Sequence, residues 1–161
     1  MRVVCVGTGL VGQQGIMAVL DHPDTELVGV VVSNPDKVGR DVGELVGRPP
    51  VGISAIDSFE AGLALRPDVV AYFNTSHGRL KATIEEFRAA LASGANVVTT
   101  SVGALINPAT ARPDVLAKLT DEAGTDDNTY RQATIFEIQR NRTVIDFAGR
   151  HVAAPVYELG D

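Results

Sequence analysis

The chain has 161 residues, a formal net charge of −6, 45% hydrophobic residues and a single cysteine. This length predicts one domain with a proper core, and the negative charge argues against a nucleic-acid or anionic-membrane surface. One cysteine excludes a disulfide framework, no apolar run reaches the length of a membrane span, and the N-terminus lacks the form of a signal peptide, so a cytoplasmic protein is expected.

Only 5% of residues are aromatic and tryptophan is absent. The core must therefore be built from Val, Ala, Leu and Ile, as in parallel sheets covered on both faces. Arg2-Val3-Val4-Cys5-Val6 opens the chain as a short strand, in which Cys5 reads as a small core residue rather than a nucleophile. Gly7-Thr8-Gly9-Leu10-Val11-Gly12 follows at once, and Gln13 to Leu20 reads as a helix. A strand, then G-x-G-x-x-G, then a helix is the dinucleotide-binding fingerprint in its proper context. Gly7 permits the tight turn, Gly9 leaves room for a pyrophosphate at the backbone, and Gly12 lets helix and strand pack closely. The helix N-terminus adds N–H donors and a positive dipole end. A glycine-rich turn serving packing alone is the competing explanation.

His22-Pro23-Asp24 breaks the helix, which ends near Asp21, and Glu26 to Val32 forms a second strand. The two strands and the helix between them make a βαβ unit with a right-handed crossover. At the end of the second strand an NAD site usually carries Asp or Glu for the ribose 2′-OH. This chain has Val32-Ser33-Asn34 there, with Lys37 and Arg40 just beyond. Loss of the carboxylate and gain of two cations favour NADP(H) over NAD(H). Asp36 and Asp41 lie in the same loop, and solvated surface charge is the alternative for Lys37 and Arg40.

Asp41 to Val46 reads as a short helix closed by Gly47, and Val51 to Ile56 as a short strand after Pro49-Pro50. Asp57 with Glu60 forms a capping-box-like start to a helix reaching Leu65. Asp68 to Phe73 is the next buried strand. Asn74-Thr75-Ser76-His77-Gly78 follows as a polar loop at the edge where open α/β sheets bind ligands. His77 is the candidate proton donor or substrate ligand in it, against the plainer reading of a loop histidine bonded to backbone or water. Tyr72 and Lys81 are weaker candidates.

Leu80 to Ser93 is the clearest amphipathic helix, with Ile84, Phe87 and Leu91 at helical spacing and Gly94 as its stop. Asn96 to Thr100 is a further strand, leading into a second polar loop, Thr99-Thr100-Ser101-Val102-Gly103. Ala109 to Ala123 is expected as a helix and residues 124–128 as a linker. Thr129 to Ile138 and Thr143 to Phe147 are expected as an antiparallel hairpin. Arg131, Arg140, Arg142 and Arg150 cluster there, as an anion site or the charged rim of an edge strand. The fold expected is a Rossmann-type doubly wound parallel α/β sheet over residues 1–123, with a hairpin tail over 124–161. No metal site is read from the sequence.

Val3 to Gly12, Leu27 to Gly47 with "SNPDKVGRDVGELVG", and Asn96 to Gly103 with "NVVTTSVG" together resemble the N-terminal cofactor domain of dihydrodipicolinate reductase and related amino-acid dehydrogenases. The likeness is strongest to actinobacterial proteins of the dihydrodipicolinate-reductase-like type, and spans roughly residues 1–123. It implies that the fingerprint holds a pyrophosphate and that Phe73, Asn74, Thr75, Ser76 and His77, with Thr99, Thr100 and Ser101, line the nicotinamide end. It further implies hydride transfer between NAD(P)H and a C=N or C=O carbon of a small polar substrate. In that family a separate C-terminal domain carries a histidine-rich segment and a lysine, whereas here His151 stands isolated. The tail is therefore expected as a shortened substrate domain or a homodimerisation element. An NAD(P)-dependent oxidoreductase is the first reading. A non-catalytic dinucleotide-binding or assembly module is the second, and a structural domain without a nucleotide the third.

Overall fold

A computed structural model describes residues 1–102. Four strands, β1 (Arg2–Val6), β2 (Glu26–Val31), β3 (Val69–Tyr72) and β4 (Asn96–Thr99), form one sheet in the order β2-β1-β3-β4. Every pairing is parallel. β1 and β2 run toward one edge of the sheet, after which the chain crosses back past β1 to place β3 on its other side. The reversal of strand order therefore falls between β1 and β3.

The helices are α1 (Leu10–Asp21), α2 (Val42–Leu45), α3 (Phe59–Ala64) and α4 (Leu80–Ala92). Alternate side chains of β1 face opposite ways, as the period of a strand requires. Val3 and Cys5 pack with Ile16 and Val19 of α1 and Val42 of α2, whereas Val4 and Val6 pack with Phe59 of α3 and with Ile84, Phe87 and Leu91 of α4. Helices thus cover both faces, and the sheet is doubly wound. Burying a valine or isoleucine stabilises by roughly 1.5–3 kcal/mol, and β1 supplies three valines at 3% exposure or less. Cys5 is fully buried, and burial pushes its thiol pKa up to about 12. It is a core residue, as expected.

Two expectations are corrected. Val51 to Ile56 is not a strand: it makes single bridges, Ser54 with Asp41 and Ile56 with Val31. Gly52 adopts a left-handed φ of 77° within it, which no continuous strand accommodates. The segment instead covers the outer edge of β2, with the Val32 amide donating to the Ile56 carbonyl at 2.8 Å. The cap of α3 is Ser58 rather than Asp57. Its hydroxyl accepts from the Ala61 amide at 3.1 Å and donates to Glu60 Oε2 at 2.9 Å. One hydroxyl can do both, which an Asp57 carboxylate cannot.

Asp41 caps α2 and does more than the sequence suggested. Its carboxylate accepts from the amides of Gly43, Val51 and Gly52 at 2.7–2.9 Å. These hydrogen bonds, with Val51 the largest contributor, hold its pKa below the usual carboxylate value. The helix expected over 109–123, the linker, the hairpin and its arginines, and His151 lie outside the described residues.

Candidate dinucleotide site

The carboxyl ends of β1, β2, β3 and β4 meet at one edge, and each loop there carries part of the site. After β1, Gly7 turns with φ 98°, a conformation that favours glycine. A Cβ on Gly7 would stand 2.9 Å from the Asn74 amide nitrogen, so the loops after β1 and β3 touch. A Cβ on Gly12 would stand 2.1 Å from the Gly7 carbonyl oxygen, so helix and turn are in closest contact there.

Gly9 is different. It is exposed, and nothing lies within 4 Å of where its Cβ would be. It occupies the N-cap of α1 without any side-chain capping bond. The first intrahelical bond runs from the Gln13 amide to the Gly9 carbonyl at 2.9 Å. The amides of Leu10, Val11 and Gly12 precede that bond and have no acceptor within the helix. Leu10 and Val11 are 81% and 52% exposed. Open backbone, free donors and a positive helix end fit an anionic diphosphate. These residues would hold a nicotinamide dinucleotide, whose own chemistry is hydride donation or acceptance.

After β2, Lys37 reaches back to the fingerprint. Its ammonium donates to Thr8 Oγ1 at 2.9 Å and to the Thr8 carbonyl at 3.2 Å. Asn34 turns its Oδ1 to the Asp36 amide at 2.9 Å, capping the short 3-10 turn Pro35–Lys37. Ser33 Oγ accepts from Asn74 Nδ2 at 2.9 Å. Arg40 is exposed in this loop.

After β3, Phe73 lays its ring on α1, and Asn74 faces the other loops. Thr75 Oγ1 accepts from the His77 amide at 3.2 Å, and His77 is exposed. Ser76 Oγ donates to the Ser101 carbonyl, and Ser101 Oγ donates to the Tyr72 carbonyl at 3.2 Å. Ser101 also donates its amide to Thr99 Oγ1 at 2.9 Å. The loops after β3 and β4 are thus tied together, with Thr99 buried and Thr100 exposed.

Tyr72 does not face the crevice. Its fully buried side chain packs edge-on against Phe87, with ring centroids 4.9 Å apart. The hydroxyl donates to Glu86 and accepts from Arg79 Nη1 at 2.6 Å, while Arg79 and Glu86 pair at 2.6 Å. Burial first, and the bond to Glu86 second, raise its pKa to about 12. This trio anchors the start of α4 and the loop before it. The Lys37–Thr8 and Asn74–Ser33 bonds and this trio were not foreseen, because nothing in local spacing predicts which loops touch.

The sequence profile of the family described as "Dihydrodipicolinate reductase, N-terminus" matches residues 1–119. The chain belongs to this family. A nicotinamide-dinucleotide-binding oxidoreductase domain is what that membership supports. An amine dehydrogenase of Streptomyces virginiae is 40% identical over 123 residues, which cover 73% of this chain and 34% of that protein. The solved structure of the amine dehydrogenase from Mycobacterium smegmatis superposes with a TM-score of 0.68 at 28% identity, covering 76% of this chain and 36% of that one. The chain spans about a third of the length of both amine dehydrogenases. A Mycobacterium tuberculosis protein named "Putative cytochrome P450 138" is 43% identical over 77 residues, 48% of this chain but 18% of that protein. That stretch is too small a part of the cytochrome to bear on the site. Among the described residues, no helix of this dihydrodipicolinate-reductase-type domain is long and apolar enough to cross a membrane.

Proposed function

We propose that this chain is the cofactor domain of an oxidoreductase that prefers NADP(H) and moves a hydride to or from a C=N or C=O carbon of a small polar substrate. The observation that carries this reading is the open space over Gly9 beside the free amides of Leu10, Val11 and Gly12. In it Gly7, Thr8, Gly9, Leu10, Val11 and Gly12 hold the pyrophosphate. Ser33, Asn34, Lys37 and Arg40 surround the adenosine ribose. Phe73, Asn74, Thr75, Ser76, Thr99, Thr100 and Ser101 border the nicotinamide, and His77 stands where a substrate group would gain or lose a proton.

The preference for NADP(H) rests on charge. The end of β2 offers no carboxylate to repel a 2′-phosphate, and the Lys37 ammonium stands 2.9 Å from Thr8 Oγ1, beside the pyrophosphate loop. Asn34 has its Oδ1 committed to its own turn, which leaves its Nδ2 and the Ser33 hydroxyl to meet a ribose hydroxyl or phosphate. The bound cofactor supplies the hydride, and the chain's own groups orient it and exclude alternative poses. Since the chain spans a third of its amine dehydrogenase relatives, binding is assigned to this domain and turnover to the whole protein.

The test is a calorimetric titration with NADPH and NADH at matched salt. Replacing Lys37 by Ala lowers affinity for NADPH by about tenfold, ~1.4 kcal/mol, more than affinity for NADH. Equal losses for both cofactors would refute the 2′-phosphate role. Binding without turnover of any carbonyl or imine substrate by the whole protein would favour the non-catalytic module instead.

A further inference from the structure

The fingerprint continues one step further than its three glycines. Gly15 lies on α1 one turn beyond Gly12, and a Cβ there would stand 2.4 Å from both Cε2 and Cζ of Phe73 and 3.2 Å from Cδ2. A Cβ on Gly12 would stand 3.6 Å from Phe73 Cβ. The Phe73 side chain therefore runs along two glycines on one face of the helix, its stem beside Gly12 and its ring over Gly15. Phe73 is the first residue beyond β3, and its amide donates to the Val6 carbonyl at 2.8 Å. Its backbone is held by the sheet and its ring by the helix, so its position is fixed from two sides.

The next residue is Asn74. Its amide nitrogen lies 2.9 Å from the place a Gly7 Cβ would take, and its Nδ2 donates to Ser33 Oγ at 2.9 Å. Ser33 follows β2 and Asn74 follows β3, with β1 between them. This hydrogen bond therefore spans the point where strand order reverses, and joins the loop at the ribose end to the loop at the nicotinamide end.

We propose that Gly15 is a positioning residue, the socket whose occupation by the Phe73 ring sets Asn74 and its bond to Ser33 in register across the crevice. The inference rests on the reading of this crevice as a dinucleotide site. A methyl group at Gly15 meets the ring at 2.4 Å and displaces it, because the nearest atoms all belong to that ring. Phe73 and Asn74 are consecutive, so displacement of the ring is expected to pass to Asn74, whose amide lies against Gly7 and whose side chain holds Ser33. The loop at the nicotinamide end then shifts, while the first turn of α1 keeps its free amides for the pyrophosphate.

The test compares NADPH with 2′,5′-ADP, which carries the adenosine end and no nicotinamide. Gly15→Ala is expected to weaken NADPH roughly tenfold or more and to leave 2′,5′-ADP within about twofold, so the ratio of the two affinities moves. Gly15→Ala combined with Phe73→Leu, which removes the colliding ring edge, restores the ratio. Asn74→Ala, which leaves the packing untouched, reproduces the loss. Should Gly15→Ala fail to fold, Phe73→Leu and Asn74→Ala carry the test, each expected to move the same ratio. An unchanged ratio in every soluble variant, or equal weakening of both ligands, overturns the positioning role. Failure of the unsubstituted chain to bind NADPH at all overturns the parent reading, which is a different outcome from normal binding with no response to Gly15→Ala.

Discussion

The two edges of the one sheet are built to opposite ends. At the amino edge the backbone is closed off: the N-terminal ammonium donates to the Asp24 carbonyl at 2.8 Å, and the Arg2 amide to Asp68 Oδ2 at 2.7 Å. The Arg2 guanidinium donates to the Leu65 carbonyl at 2.9 Å and pairs with Glu26 at 3.4 Å. At the carboxyl edge the first turn of α1 has free amides, Gly9 has empty space above it, and Leu10 is 81% exposed. An edge that spends its donors on its own chain is structural, and an edge that leaves them unspent is where a ligand supplies the acceptors.

Within the fingerprint the same contrast separates one glycine from the next, and substitution can break it. The largest effect falls on Gly12. Gly12→Val drives a side chain into the Gly7 carbonyl and is expected to lower stability by about 3 kcal/mol, read by chemical denaturation. Gly9→Val meets nothing in the fold. It is expected to cost about 1 kcal/mol or less in stability through the poorer N-cap, yet to abolish measurable NADPH binding. Equal stability losses in the two variants would remove the distinction between them.

Asp41 sharpens the comparison from beside the site. Its folded-state pKa is depressed, so its stabilising effect is present above the unfolded value, about 3.9, and is lost as pH falls through the lower folded value. Denaturation of Asp41→Asn and the unsubstituted chain should therefore differ near pH 7 and converge in strong acid. A gap that does not shrink at all as pH is lowered through the acid range would contradict this. The smallest effect on binding belongs to the amino edge. Arg2→Met removes an exposed ion pair and the hydrogen bond to the Leu65 carbonyl, together worth about 1 to 2 kcal/mol of stability, and should leave cofactor affinity where it was.

Much of this was legible in the sequence because it is local. The continuous burial of Val3, Val4, Cys5 and Val6, the helix bounds at Asp21 and Leu80, and the fingerprint all follow from patterns within a dozen residues. β3 and β4 lie within one residue of their expected ends. What failed was decided by context. Val51 to Ile56 has a strand's composition, but the left-handed Gly52 and the edge of β2 reduce it to two bridges. Ser58 displaced Asp57 as the cap of α3 because a hydroxyl can both accept and donate. Phe73 on Gly15, Lys37 on Thr8 and Asn74 on Ser33 are contacts between residues 29 to 58 positions apart. No pattern in one loop announces the other. Gly15 did carry a signal, since it extends the glycine spacing by one more turn of the same helix face.

The most direct test of the central claim is a backbone-amide NMR titration of the unsubstituted chain with NADPH. The account predicts saturable shifts at Leu10, Val11 and Gly12, with the amides of Arg2, Glu26 and Asp68 at the opposite edge unmoved. Silence at the first turn of α1, or shifts centred on the amino edge, would contradict it.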